Sequence, residues 1–418
     1  MQFNRASEGQ ALVITTVGLV VLMLIAGLGI DVSYLTYQKQ QMQKAADAGA
    51  IAAAAAKIYG GNYTLAGKSD TAANGFTDGQ NGISVNVNYP PATDGDPLKG
   101  NRSYVEVVVA QAQPTFFMRV GGFGLVNVRS RAVASLYGNG SGCIYVLDPT
   151  DADTYTATGT ITLDSACGII VNSNNPKAFK DNGGACTDAT GVTIVGGVDV
   201  DACSNPPQSG FVTGAAPFSD PLSYLTAPTV AGCDYQNVHI NSSQTLTPGT
   251  YCGGIQVSGS GVLVTFSPGL YILNGGGLKV SGQANLFGTG VMFYNTGTSN
   301  GSKKYGTIDI EGITNTTLSA SDTDTNGTLA GILFFDDRNA STYVSNPVNI
   351  ITGGSGANIA GALYFPSTAL QYSGGTTQST FTIVVAYQLA INGNATFNDD
   401  YSDLPGGGSP VRAAVLAE

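Results

Sequence analysis

Tryptophan is absent from this chain of 418 residues, and histidine occurs once, at His239. A single imidazole leaves little material for a histidine-based metal centre, and no Ser/His/Asp arrangement forms around it. Set between Val238 and Ile240, it reads as a structural or surface residue rather than a ligand. Charge is also scarce. Asp, Glu, Lys and Arg make up 11% of the chain, against a usual value of about 25%. The balance is acidic, at −11. No basic stripe with interleaved aromatics is present, so no nucleic-acid partner is expected. No phosphate-cradling loop or redox motif is present either. Strings such as Gly275-Gly276-Gly277 sit in repeats, where glycine serves turns.

What is plentiful points elsewhere. Glycine accounts for 57 residues, about twice its normal share. The polar content comes from Thr, Ser and Asn. Threonine suits strands, and Gly and Asn suit turns. Apolar residues reach 43%, too many for disorder. This is the profile of an all-β extracellular protein, with length for roughly two or three domains. Six cysteines, Cys143, Cys167, Cys186, Cys203, Cys233 and Cys252, fall in one segment and form no CxxC pair. An even set in an otherwise thiol-free chain suggests disulfides and an oxidising compartment. Sequential pairing, 143–167, 186–203 and 233–252, is the simplest connectivity. The alternative is that some are buried free thiols.

Residues 9–30 form an uncharged, largely apolar run near the N-terminus. A membrane span needs about 20 such residues, because the hydrocarbon core is ~30 Å thick. The rival reading is a cleaved signal peptide, which has a shorter apolar core and a small-x-small cleavage site. Here a helical sequence follows instead. Residues 31–57 contain no proline, and Val32, Leu35, Met42, Ala46 and Ala53 recur near the helical period. One continuous helix over about 10–57, ended by Gly60-Gly61, is expected, with its first half in lipid. The positive-inside rule is nearly silent, since only Arg5 and the α-amino group precede the run and Lys39 and Lys44 follow it.

This N-terminal segment resembles the TadG-type (TadE/TadG) proteins of the tight-adherence, or Flp, pilus systems of bacteria. The resemblance rests on Gly9-Gln10 before the apolar run and Ile30-Asp31 at its end. It rests also on the Lys-containing polar helix and on the series Ala45-Ala46-Asp47-Ala48-Gly49-Ala50 before an alanine tract. It is strong over residues 1–60 and extends weakly to about residue 136. Two departures limit it. Pseudopilins of that system are cut after a Gly with a Glu five residues on, where this chain has Ile14 after Gly9. Larger relatives carry a metal-binding DxSxS, whereas Asp31-Val32-Ser33-Tyr34-Leu35 lacks the second serine. The resemblance implies membrane, neighbouring N-terminal helices and other Tad/Flp pilus components as partners. A homo-oligomer or filament is within its scope. It places the protein at the bacterial inner membrane with an extracytoplasmic domain, or on a cell-surface filament.

Three segments are expected: the helix at 1–59, a small α+β unit at 60–138 and a β-rich repeat domain at 139–418. In the second, residues 84–89, 104–109 and 126–133 read as strands and 115–120 as a short helix. A long helix on a small antiparallel sheet is a pilin-like layout. In the third, Pro248-Gly249-Thr250-Tyr251 recurs as Pro268-Gly269-Leu270-Tyr271. Gly254-Ile255-Gln256-Val257-Ser258-Gly259 recurs as Gly277-Leu278-Lys279-Val280-Ser281-Gly282. Residues 329–335 recur at 359–365. Short strands, Gly/Asn turns and an irregular period of roughly 20 to 30 residues suit a right-handed parallel β-helix. An antiparallel sandwich is the alternative.

Two constellations invite chemistry. Asp309 and Glu311 alternate with Ile308 and Ile310. On a strand they would share an outward face about 7 Å apart at Cα, a spacing compatible with polysaccharide cleavage. No Arg, Lys or His cluster joins them, so a solvated face is the simpler reading. Asp322, Asp324 and Asn326, in Asp322-Thr323-Asp324-Thr325-Asn326-Gly327, match the first half of a calcium loop. The closing Glu is replaced by Leu333, although Asp336 and Asp337 lie nearby. The plainer reading is a turn whose Asp and Asn cap their own backbone. Asn398-Asp399-Asp400 with Asp403 is a weaker version of the same pattern. No other cofactor is expected, and no catalytic residue. The function expected is that of a membrane-anchored structural protein of a pilus or adhesion system. The alternatives are a self-assembling filament subunit with a helical core and β-helix decoration, and a glycan-active β-helix enzyme. The alanine tract, including Ala46 and Ala50, would permit close helix–helix approach.

Overall fold

The computed structural model describes residues 5–58, 61–139, 142–159, 162–201, 207–208, 210–311, 316–324, 329–352, 357–373, 381–404 and 409–417. The chain divides into two compact units, Met1–Gly138 with Ala413–Glu418, and Asn139–Arg412.

The first unit is built on one helix. α1 (Arg5–Ile58) runs unbroken, with no proline to interrupt it. A second helix, α2 (Tyr63–Ala73), goes beyond the sequence expectation. It starts on Asn62, whose side chain accepts from the Leu65 N–H at 3.0 Å, a helix-opening arrangement. The sheet follows as β1 (Ile83–Asn88), β2 (Tyr104–Pro114) and β3 (Leu125–Asn139), antiparallel neighbours in that order. Val85 lies opposite Val109, and Val107 opposite Ala132, so these buried residues form one inward face. The second half of α1 rests on α2 and β2. Its buried stripe is Met42, Ala45, Ala46, Ala50, Ala53 and Ala54, at helical spacing. The approach is close. A Cβ on Gly49 would stand 2.6 Å from Thr71 Cγ2, and one on Gly67 would stand 3.2 Å from Ala53 Cβ. Glu106, fully buried on β2, ion-pairs with Arg131 and accepts from Asn88 Nδ2 (2.8 Å) and the Ala92 N–H (3.0 Å). Burial opposes its charge, but Arg131 and the other donors outweigh that and hold the carboxyl at about 2.

A fourth strand completes this sheet, and it is the chain's last, Arg412–Leu416. Ala417 donates its N–H to the Val133 carbonyl at 2.8 Å. The second unit is therefore an insertion between β3 and the closing strand. The sequence expectation ran the repeat domain to residue 418. The closing strand is too short, and too far from its partners in sequence, for periodicity to assign it to the first sheet.

The second unit is a parallel β-helix. Its coils carry up to three short strands, as in Gly269–Asn274, Leu278–Val280 and Asn285–Gly288. On the next coil Tyr271 meets Phe293, Leu278 meets Ile308 and Leu286 meets Thr316, all in parallel ladders. The repeated motifs fall on this stacking. Ile255 pairs with Leu278, and Ile332 with Ala362, as the repeats require. The Pro-Gly-x-Tyr repeat is shifted, since Gly249 pairs with Tyr271 rather than Gly269. The shift is by two residues, the strand period, so the same side chains still face inward. One aromatic ring per coil builds a stacked ladder: Tyr235, Tyr251, Tyr271, Phe293, Phe334 and Phe365, with centroids 4.6 to 6.3 Å apart. Such pairs add about 0.5–1.5 kcal/mol each beyond the area they bury. The repeat glycines serve a corner where coils touch backbone to backbone. Gly277 has φ +70, and a Cβ there would lie 2.0 Å from the Thr307 carbonyl oxygen.

Stack order and chain order differ. From one end the coils run Tyr235–Ile240, Gly249–Val257, Gly269–Asn274, Val291–Thr296, Ile332–Asp336, Asn358–Ser373 and Thr382–Ile391. The next neighbour is Gly142–Val146, followed by Gly168–Val171, Val192–Ile194 and Phe211–Val212. The chain thus enters mid-stack, winds to one end, crosses to the other through residues 213–234 and winds back. The crossing segment is a strap over the outer face of the stack. Phe218, Leu222, Tyr224 and Leu225 cover Tyr145, Met292, Phe335, Tyr364 and their neighbours. Polar contacts fasten it. Asp220 accepts from the Tyr364 hydroxyl at 2.5 Å, and Arg338 donates to the carbonyls of Leu222 (3.1 Å) and Ser223 (3.4 Å).

Several carboxyls are buried in this unit, Asp148, Asp181 and Asp336 among them. Asp336 is fully enclosed and accepts from Tyr305 (2.8 Å), Thr368 (2.7 Å) and Asn295 (2.9 Å). Burial outweighs these donors and pushes it up to about 7. A group raised in the folded state stabilises below its unfolded value and loses that contribution as pH rises through the folded one. The β-helix should therefore lose urea resistance between about pH 4 and 7, and Asp336→Asn should flatten that slope. Glu106 has the opposite sign: its contribution is present above about pH 4.5 and lost as pH falls toward 2. Gly277→Ala should lower β-helix stability by roughly 2–4 kcal/mol in thermal melts. Gly301→Ala, with φ +83 and nothing within 4 Å of the new Cβ, should cost only about 1 kcal/mol.

Candidate functional site

The residues that carry the family resemblance all lie on α1, and the helix treats them in three ways. Gly9 and Gln10 sit in its first turns. From Leu12 to Ala26 every residue is exposed. That stretch is apolar and long enough to cross a membrane. Ile30 is also exposed, at 54%. Asp31 is the reversal: it is fully buried. Beyond it the helix becomes part of a folded core.

Asp31 reaches across to the loop between β2 and β3. Its carboxylate accepts three consecutive backbone N–H groups, from Phe116 (2.7 Å), Phe117 (2.8 Å) and Met118 (2.6 Å). They open a short 3₁₀ turn, Met118–Gly121, where the sequence suggested a helix. Orphan N–H groups at such a start favour an anion, and one aspartate meets all three. Aromatic contacts reinforce the clamp. The Phe116 ring meets Tyr34 edge-on at 5.5 Å. Phe117 lies against Gly27, where a Cβ would come within 2.4 Å of its ring. Gly27 is thus a glycine because a ring occupies the place of its side chain. None of these partners is marked in the sequence beyond Phe116-Phe117 followed by Gly121-Gly122, a pair of rings ahead of turn glycines.

Ala46 and Ala50 are buried with no exposed surface. Their small size serves packing of α1 against its own unit. Asp47 is half-buried and accepts from Gln43 Nε2 at 2.7 Å, and Gln43 also donates to the Arg131 carbonyl at 2.8 Å. The apolar helix surface left exposed in this unit is the stretch from Leu12 to Ala26.

The remaining candidates lie in the β-helix. Asp309 is half-buried on the strand Ile308–Ile310, with both isoleucines buried and Lys279 opposite on the adjoining coil. Glu311 and His239 are exposed. Asp322 and Asp324 are exposed, and Asp324 accepts from the Ala330 N–H. Asn326 lies outside the described residues. Asp336 and Asp337 are engaged elsewhere, Asp337 by Thr296 at 2.5 Å and the Asn339 N–H at 2.9 Å. Asp322 and Asp403 border a surface cavity of about 490 Å³, with Thr317, Ser319 and Asn358. Among the described residues no group of three or more His, Cys, Asp or Glu side chains is placed to hold a metal ion. Cys143–Cys167 and Cys233–Cys252 are disulfides joining neighbouring coils. Cys186 is disulfide-bonded too, and Cys203 lies outside the described residues.

Removing the clamp should release the loop. In Asp31→Ala, hydrogen exchange at the Phe116, Phe117 and Met118 amides should speed up at least tenfold, since hydrogen bonds to a charged group contribute about 1.5–3 kcal/mol each. Asp31→Asn, which keeps one acceptor oxygen, should fall between. Unchanged exchange in Asp31→Ala would show that the loop is held by its aromatic contacts alone.

No curated protein and no solved structure gives a significant match to this chain. Residues 9–56 match the Tad family model, described as "Putative Flp pilus-assembly TadE/G-like". The matched range covers the apolar stretch, Asp31 and the alanine-rich core face together. Over its N-terminal helix the chain is thus similar to TadE/G-like Flp pilus-assembly proteins, and the similarity is confined to residues 9–56.

Proposed function

We propose that the protein is a membrane-anchored extracytoplasmic structural component of a Tad/Flp-type pilus or surface-adhesion system, acting without catalysis. One observation carries the reading. The helix with the pilus-assembly signature is apolar and exposed over 12–26, then from Asp31 onward buries one stripe in a folded unit. A folded unit does not hold fifteen or so apolar helical residues in water without a partner, because each buried CH₂ is worth about 0.8 kcal/mol. A bilayer supplies that partner. The disulfides favour an oxidising compartment for the β-helix. The β-helix, inserted between two strands of the anchored unit, would present its surface to other pilus components or to the cell exterior.

The filament-subunit reading uses the same exposed helix, packed with copies of itself. Fractionation separates the two. The full chain should remain with membranes through high salt and carbonate and be extracted by detergent. Val20→Asp combined with Leu24→Asp should shift it to the soluble fraction, since each charge at mid-span costs about 2.5–3.5 kcal/mol. Recovery of the chain in sheared surface fibres with none in membranes would favour the filament and sink the anchor.

A further inference from the structure

We propose that the Asp31-clamped loop, residues 115–125, is a second membrane contact that inserts its apolar side chains into the lipid surface beside the spanning helix. This rests on the membrane-anchor reading above. The loop is closed and stiff. The Thr115 N–H donates to the Gly124 carbonyl at 3.2 Å, and the Thr115 hydroxyl donates to the Phe123 carbonyl. Inside it, Val120 donates to Phe117 (3.0 Å), Gly122 to Arg119 (3.1 Å) and Phe123 to Met118 (3.2 Å). Seven of the loop's N–H groups, at 115–118, 120, 122 and 123, are thus met within the loop or by Asp31, which lowers the cost of entering an apolar medium.

The side chains do the reverse of what water favours. Phe116 is 58% exposed, Phe117 42%, Val120 81%, Phe123 63% and Leu125 67%. Scattered apolar residues need no explanation, but four on one closed loop, with Leu125 beside them at the start of β3, form a patch. The patch continues onto the helix, where Leu28, Ile30 and Val32 are exposed as well.

Position along the helix supplies the occupant. Phe117 packs on Gly27, inside the apolar run and four residues before Asp31. At ~1.5 Å per residue the ring sits about 6 Å to the membrane side of the aspartate. Interfacial apolar groups bury to about 5–10 Å. Aromatic rings are favoured at that depth, and the exposed Arg119 is the loop's cation for lipid phosphate. The aspartate can stand at this boundary because three N–H groups meet its charge.

The test uses the full chain in liposomes of phosphatidylethanolamine and phosphatidylglycerol. Because the described cysteines are all bonded, Val120→Cys and Leu19→Cys each add a thiol for a polarity-sensitive fluorophore. The inference predicts a blue shift and loss of emission at 120 with shallowly brominated lipids, and at 19 with deeply brominated ones. Aqueous emission at 120 with lipid quenching at 19 overturns the loop and leaves the anchor. Emission at 120 that is shielded from iodide yet untouched by brominated lipid overturns it in favour of a protein contact. Absence of lipid quenching at 19 overturns the anchor itself, and the loop with it.

Discussion

A single carboxylate marks where one helix changes surroundings. Before Asp31 the residues of α1 are exposed over 12–26. After it they form the core of a folded unit. The three N–H groups on Asp31 tie the β2–β3 loop to that transition. A charge withdrawn from water is tolerable only when hydrogen-bonded, and orphan amides at the start of a turn are tolerable only when accepted. Each need meets the other here. The close packing that follows, with Gly27 against Phe117 and Gly49 against Thr71, depends on the helix holding that register.

The β-helix is governed by a different constraint. A coil cannot bury its face alone, so every coil needs a neighbour. Because the chain enters mid-stack, the two winding halves meet where Thr382–Ile391 pairs with Gly142–Val146. That junction depends on residues far apart in sequence. The strap at 213–234, pinned by Asp220, Tyr364 and Arg338, spans the stack that both halves build. Sparse surface charge fits this design, since Thr, Asn and Gly meet the needs of tight coils better than long ionic side chains. Asp336, enclosed between coils, is ringed by Tyr305, Thr368 and Asn295.

Local physics explains what was legible. The apolar run, its helical continuation and the repeat glycines write their reasons into neighbouring residues. The β-helix followed from motifs such as Gly254-Ile255 and Gly277-Leu278, and the first unit's strands were visible as alternating residues. What stayed hidden depends on distant partners. The closing strand belongs to β3, nearly three hundred residues earlier in the chain. The strap has no period, and its apolar residues look like those of any loop. Asp31 was recognisable as part of a family pattern, but its acceptor role required Phe116, Phe117 and Met118 to be brought to it. The alanine tract was legible as a surface for close helix approach, and Ala46 and Ala50 are buried within their own unit.

The central claim is that α1 passes from lipid into its own fold at Asp31. Spin labels scanned along residues 18–40 of the full chain in bilayers, with one more at Met42, test it most directly, by comparing collisions with oxygen and with a water-soluble nickel complex. The account predicts oxygen-dominated collisions through Ile30, then a switch to nickel at exposed positions such as Thr36 and Gln40, with the label at Met42 shielded from both. Nickel-dominated collisions throughout 18–30, or no change of regime around Asp31, would contradict it.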